Sequence, residues 1–254
     1  MAQNVVEFEI RDQIALVRLN RPEVHNAIDR NVMDLLEEIL AKLYDRPEIL
    51  VVILTGAGRE SFCAGGDIKY FATLKTREDA LAMSRRMQAI LNTLFSGNKV
   101  VIAAVNGRAL GGGCELLTAC HFRLAAEHAT FSFRQAANGV ITGWGGGVRL
   151  FRLLGHNHAL QLFLTSETID AWEAHRIHFV DRVLPAEDLL PAAFKLAKKI
   201  TENSSAAVRG FLRIARKIQL CQIDELVNDE TEQFADLWIG EDFKNWLNGF
   251  LLKQ

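Results

Sequence analysis

The chain offers little that would serve a metal, a membrane or a nucleic acid. Its four cysteines, at positions 63, 114, 120 and 221, have no paired ligand spacing, and two of them sit in apolar runs as small core residues do. This cysteine usage suits a reducing interior. His128, His156, His158, His175 and His178 fall on loops or helix surfaces without the mutual spacing of ligands, so no metal site is expected. The formal charge is −2, from 29 basic and 31 acidic residues, and supplies no field that would gather nucleic acid or an acidic membrane. No run approaches the roughly 18 apolar residues of a membrane-crossing helix, and the opening Met-Ala-Gln-Asn-Val-Val-Glu lacks a basic-then-apolar signal. A soluble, cytoplasmic protein acting on a small molecule is the expectation.

What is present is apolar bulk and glycine. With 254 residues and 49% apolar content, the chain can bury a large core as one domain, or as a domain with an attached helical region. Short β-rich runs at 14–19, 50–55, 100–105, 122–125 and 180–184 read as strands. Between them, 29–44 and 77–94 carry apolar residues at helical spacing, which indicates an α/β fold of repeated crossover units. After Pro185 the pattern turns helical over 186–200, 206–218 and 223–238, and 243–250 sets aromatics in a polar background. Exposed Trp238, Phe243, Trp246 and Phe250 would suit a cover over a site or a subunit interface; burial against the chain's own core is the plainer alternative.

The most informative stretch is Asn106-Gly-Arg-Ala-Leu-Gly111-Gly112-Gly113-Cys-Glu115, where a strand ends in three glycines and a carboxylate follows one helical turn later. Glycines there let backbone N–H groups approach a bound atom, and a helix N-terminus adds partial positive charge. No Lys-Ser or Lys-Thr follows to grip a phosphate. The pattern therefore points to a carbonyl oxygen that becomes negative during reaction, with Glu115 beside it to move protons.

A second glycine segment, Ser61-Phe-Cys-Ala-Gly65-Gly66-Asp67-Ile68-Lys69, precedes the first, and Leu19-Asn20-Arg21-Pro22-Glu23-Val24-His25-Asn26-Ala27 precedes both. Together the three resemble the crotonase superfamily, the enoyl-CoA hydratase and isomerase group, from about Val5 to the C-terminus. The resemblance implies a ββα spiral over 1–185 carrying an acyl-CoA site. It also implies a helical cover and oligomerisation region over 186–254, assembled as a homotrimer or a dimer of trimers. It places the thioester oxygen between the N–H groups of Gly66 and Gly112, with Glu115 as general acid or base. Cys63, Ala64, Ile68 and Lys69 would line the CoA path, with Arg21 and His25 as further candidates. No cofactor is implied beyond the coenzyme A carried by the substrate.

Asp67 reads more plainly as a cap or loop tie than as a catalytic group, and His121 as structural. The second glutamate of the family's hydratases maps to Gln135, which can hydrogen-bond but cannot serve as a proton-transferring carboxylate. Arg134 is either an outward-facing residue or a partner for an acidic substrate group, while Trp144 adds a flat wall to the pocket. The reading that follows is an enoyl-CoA hydratase or isomerase. Loss of the second glutamate, with the tail Phe234-Ala-Asp-Leu-Trp238, also resembles the methylmalonyl- or ethylmalonyl-CoA decarboxylase branch. A non-catalytic or RNA-binding relative is opposed by the absence of a basic stripe. Carbon–carbon hydrolysis of a cyclic diketone is opposed by the CoA-loop signals.

Overall fold

A computed structural model describes residues 4–220 and 223–252; Cys221 lies outside the described residues. Five of the six strands of the larger sheet are runs that the side-chain pattern marks. In order they are β1 (Val6–Arg11), β2 (Ile14–Leu19), β3 (Val51–Gly56), β5 (Val100–Val105), β7 (Phe122–Ala126) and β10 (Arg182–Leu184), with β1 antiparallel to β2 and the remaining pairs parallel. β3 and β5 are buried at every position, as strands covered on both faces must be.

The smaller sheet explains how the site is built. It contains β4 (Ser61–Cys63), β6 (Arg108–Leu110), β8 (Thr130–Ser132) and β9 (Ile169–Asp170), in that order. The chain passes from a strand of the large sheet to one of the small sheet and then into a helix, three times. β3 and β4 lead to α2 (Ile68–Phe71) and α3 (Arg77–Ser96); β5 and β6 lead to α4 (Gly112–Thr118); β7 and β8 lead to α5 (Gly146–Thr165). This is the expected ββα spiral. β4, β6 and β8 pair in parallel, so the segments that lead from them towards α2, α4 and α5 leave from the same end of the small sheet.

α1 (Arg30–Tyr44) starts at Asp29, whose carboxylate accepts from Val32 N–H, and buries Val32, Leu36, Ile39, Leu40 and Leu43 on one face. α3 opens with a capping box between Thr76 and Asp79. Both helices join the core on one face of the large sheet. α7 (Ala186–Thr201) covers the other face with Leu189, Ala193 and Ala197. α6 (Ala171–Arg176), α8 (Ser205–Leu220), α9 (Ile223–Trp238) and α10 (Glu241–Leu251) complete the chain.

Two of the four tail aromatics follow the plainer alternative of burial: Trp238 and Phe243 are each 3% exposed. They are enclosed by a ring chain in which Trp238 meets Phe71 at 4.8 Å and Phe243 at 4.3 Å between centroids. Trp246 is half-buried and Phe250 exposed. Among the described residues, no helix is long and apolar enough to cross a membrane.

Candidate active site

The two glycine segments meet edge to edge. Gly65, at φ +88°, turns the chain out of β4, and a Cβ placed on it would lie 2.9 Å from Gly112 N. Gly111, at φ +51°, turns the chain out of β6 into α4. Gly113 packs so closely on the first segment that a Cβ there would stand 2.0 Å from Cys63 O. Among the described residues, neither Gly66 nor Gly112 donates its backbone N–H to a protein acceptor. For Gly112 this follows from its place in the first turn of α4, where N–H groups have no intrahelical partner.

Aromatic rings cover both glycines. Phe71 lies on Gly66, where an added Cβ would be 1.9 Å from its ring, and Trp144 lies on Gly112, where the corresponding distance is 2.3 Å. Trp144 is 3% exposed and points its indole N–H at the Met83 sulfur, 3.3 Å away. The space above the paired glycines is therefore narrow and apolar.

Asp67 holds this arrangement in place. Its carboxylate accepts from Lys69 N–H at 2.9 Å and from Tyr70 N–H at 3.3 Å, which caps α2, and it receives Arg21 at 2.9 Å. Arg21 also donates to Ala27 O at 2.8 Å, so it serves as a clamp inside the fold. We expect Asp67→Ala to lower stability by about 1–2 kcal/mol through loss of the cap, read by urea denaturation. The same change frees the helix that carries Phe71.

Glu115 is 2% exposed and stands in the first turn of α4, with its carboxylate on the start of α5. Its Oε2 accepts from Trp144 N–H at 2.7 Å and Gly146 N–H at 3.1 Å, while Oε1 accepts from Gln135 Nε2 at 3.0 Å. Gly146 is needed for this fit, because a Cβ there would lie 2.4 Å from Glu115 Cγ. Burial pushes the carboxyl up to about 7, the nearby Glu230 charge pushes in the same direction, and the three N–H donors pull it back. A group that titrates there is suited both to accept and to return a proton near neutrality. Gln135 is 8% exposed, and its buried Oε1 has no hydrogen-bond partner among the described residues.

Residues 9–253 match the family described as enoyl-CoA hydratase/isomerase. The chain belongs to the enoyl-CoA hydratase/isomerase family. It is 35% identical, over its full length and 97% of the relative's, to a short-chain-enoyl-CoA hydratase of Clostridium acetobutylicum. It is equally similar, at 35% and with the same coverage, to a crotonyl-CoA hydratase of Syntrophomonas wolfei. The crystal structure of an enoyl-CoA hydratase from Bacillus anthracis superposes with a TM-score of 0.82 at 32% identity, covering 99% of this chain and 97% of that one. The protein is an enzyme of this family, and its spiral is the family's fold.

Within this enoyl-CoA hydratase/isomerase chain the structure gathers Gly66, Gly112, Glu115, Gln135 and Trp144, and separates others that were candidates with them. Arg134 is turned outward: it is exposed, and its guanidinium donates to Ser166 O at 3.3 Å. The chain leaves β8 and turns at Gln135, which has helical φ/ψ at the start of a short 3-10 helix over Ala136–Asn138; there Gln135 is buried and Arg134 exposed. Lys69 is exposed on α2, Ile68 is half-buried at its start, and Ala64 N–H is engaged by His25 O at 3.0 Å. Cys63 is fully buried, its thiol pushed up to about 12 by burial, which leaves only its backbone able to take part in binding. His121 accepts from Val101 N–H at 3.0 Å and is pushed down to about 4 by burial, in keeping with a structural part. Among the described residues, no cluster of three or more His, Cys, Asp or Glu could hold a metal ion.

Glu230 is the residue that pattern reading passed over. It lies in an acidic stretch, Asn228-Asp-Glu-Thr-Glu232, that suggests a solvated helix face. Yet it shares helical spacing with Val227, Phe234 and Trp238, a stripe that faces inward, and it is only 7% exposed. That placement on the apolar stripe was the available signal.

Proposed function

We propose that the protein hydrates short-chain trans-2-enoyl-CoA thioesters, with Gly66 and Gly112 N–H groups holding the thioester oxygen and Glu115 moving the proton. The observation that carries this reading is the pair of unpartnered amides on abutting loops, one turn away from a buried carboxyl that titrates near 7. Two donors aimed at the oxygen stabilise the negative charge that collects there when water attacks C3. In enzymes that use such donors, each is worth about 2.7–4 kcal/mol of barrier.

The atoms balance with one carboxylate. Ionised Glu115 takes a proton from water while the hydroxyl oxygen bonds to C3 and the C2–C3 π electrons move onto the thioester as an enolate. Protonated Glu115 then returns that proton to C2 as the enolate collapses, giving the 3-hydroxyacyl thioester. Gln135 supplies what a second glutamate would not be needed for: its Nε2 fixes Glu115, and its unpartnered Oε1 accepts a hydrogen from the attacking water. The closeness of Phe71 and Trp144 to the two glycines favours short acyl chains. The relatives named for short-chain and crotonyl substrates agree with that preference. In this reading the coenzyme A part of the substrate is the only non-protein group, its path running by the backbone of Cys63 and Ala64 and the start of α2, and the working form is a cytoplasmic homotrimer or dimer of trimers.

The test is the fall in enoyl-thioester absorbance with crotonyl-CoA. Turnover is expected, and Gln135→Ala should lower kcat by about tenfold or more, since a hydrogen bond to a charged group contributes about 1.5–3 kcal/mol. A folded protein that hydrates no short trans-2-enoyl-CoA would overturn the reading.

A further inference from the structure

The start of α5 holds two carboxylates, not one. Gly146 N–H donates to Glu115 at 3.1 Å, and the next amide, Gly147 N–H, donates to Glu230 Oε1 at 3.1 Å, with Val148 N–H reaching Glu230 Oε2 at 3.4 Å. Both positions must lack a side chain: a Cβ on Gly147 would stand 2.5 Å from Thr142 Oγ1 and 3.1 Å from Glu230 Oε1. The Thr142 hydroxyl also bonds Glu230. Glu115 comes from the spiral, whereas Glu230 is delivered by α9, so two separate parts of the chain converge on adjacent amides.

Among the described residues, a buried cation stands by this pair. Arg149, 3% exposed, donates to Trp144 O at 3.0 Å and to Asn92 Oδ1 at 2.5 Å, and the charges of both Glu230 and Glu115 act on it. Arg85 of α3, paired with Glu232, and Arg216 of α8 line a cavity together with Arg149 and Thr231, and neutral groups also stand by the pair. Cys114 on α4 and Cys63 on β4 are buried thiols held protonated, Gln135 is an amide, and α3 contributes Ser84, Gln88 and Asn92. Two buried acids held on adjacent amides repel each other when both are ionised, which favours one proton on the pair near neutrality.

We propose that Glu230 is a positioning residue that sets the protonation of Glu115: its charge, fixed on the neighbouring amides of α5, keeps the proton of Glu115 from leaving too easily. Burial raises the Glu230 carboxyl, and Thr142, the Gly147 and Val148 N–H groups and the Arg149 charge oppose that rise by favouring its ionised form. The consequence is that α9 governs how basic the proton-moving group of the spiral is. The inference rests on the reading of Glu115 as that group.

Two readouts separate the two ideas. Difference infrared spectroscopy follows the Glu115 carboxyl C=O band, identified by its disappearance in Glu115→Gln, as pH is varied without substrate. The pH dependence of kcat/KM with crotonyl-CoA follows the same group in turnover. The intact protein should lose activity as pH falls through about 7, because Glu115 must be ionised to take the proton. In Glu230→Gln both the band's midpoint and this acid limb should move down by about one pH unit or more, as loss of a neighbouring like charge requires. Glu230→Asp, which keeps the charge, should restore both towards the parent. Thr142→Val is nearly isosteric and should move both down by a smaller amount, because it raises the proton affinity of Glu230; it serves where Glu230→Gln does not fold. An unmoved infrared midpoint in the folded variants would overturn the role of Glu230, whereas unchanged turnover in Glu115→Gln would overturn the function reading while leaving the infrared result standing.

Discussion

Glu115→Gln should lower kcat for crotonyl-CoA hydration by about 100- to 10,000-fold, the range expected when the group that transfers the proton is removed. Substrate affinity should change little, because the thioester oxygen is held by backbone. The chain should stay folded: a glutamine oxygen at 115 can still accept from Trp144 and Gly146 N–H, the donors that now reach Oε2 at 2.7 and 3.1 Å.

The variant should even gain stability at higher pH. Glu115 binds its proton more tightly in the folded protein, at about 7, than at its ordinary value of 4.5. The folded state thus holds more protons than the unfolded one between these limits, and the parent loses stability as pH rises through that window. Glutamine has no such loss. The Tm of Glu115→Gln should therefore exceed that of the parent above pH 7 and converge with it below 4.5; a constant difference across the range would contradict the buried, raised carboxyl.

Gly113→Ala should damage both stability and turnover. By helix propensity alone, alanine in α4 would gain about 1 kcal/mol over glycine. Sterics decide otherwise, since the new Cβ would stand 2.0 Å from Cys63 O, a backbone atom with no free rotation. The two loops must separate, at a cost of about 1–3 kcal/mol in stability. Their separation also pulls Gly112 away from Gly66. Loss of one such donor lowers kcat by about 100- to 1,000-fold. Both losses should appear together, in thermal unfolding and in crotonyl-CoA turnover. A variant with ordinary kcat and lowered Tm would mean that the spacing of the loops does not matter to the chemistry.

The sequence made the large sheet visible for a physical reason: strands covered on both faces need unbroken apolar runs, and 100–105 is one. The small sheet was hidden by its length. Three-residue strands such as Ser61–Cys63 and Arg108–Leu110 are too short to show a period, and their residues are chosen for turns and close approach. Glycine pairing was legible because few other needs place Gly65-Gly66 and Gly111-Gly112-Gly113 after successive strands. The exit of Arg134 from the site and the entry of Gln135 depend on a turn into a three-residue 3-10 helix at Ala136–Asn138, which is too short to show a period in the sequence. Trp238 and Phe243 could be read either way because their polar neighbours suggested solvent; Phe71 from the spiral reaches Trp238 and closes the cluster, so both are buried. Glu230 was illegible as a site residue because its acidic neighbours favour an exposed face, and only the fold brings α9 to the start of α5.

The account depends on two backbone amides meeting one oxygen. Binding crotonyl-CoA labelled with carbon-13 at the thioester carbonyl to Glu115→Gln, which should hold it without turning it over, isolates that contact in an infrared difference spectrum. The carbonyl stretch should fall to lower frequency on binding, as two N–H donors polarise the bond, and Gly113→Ala in the same background should cancel much of the fall. A bound carbonyl that keeps its frequency in free solution would contradict the pairing of Gly66 with Gly112.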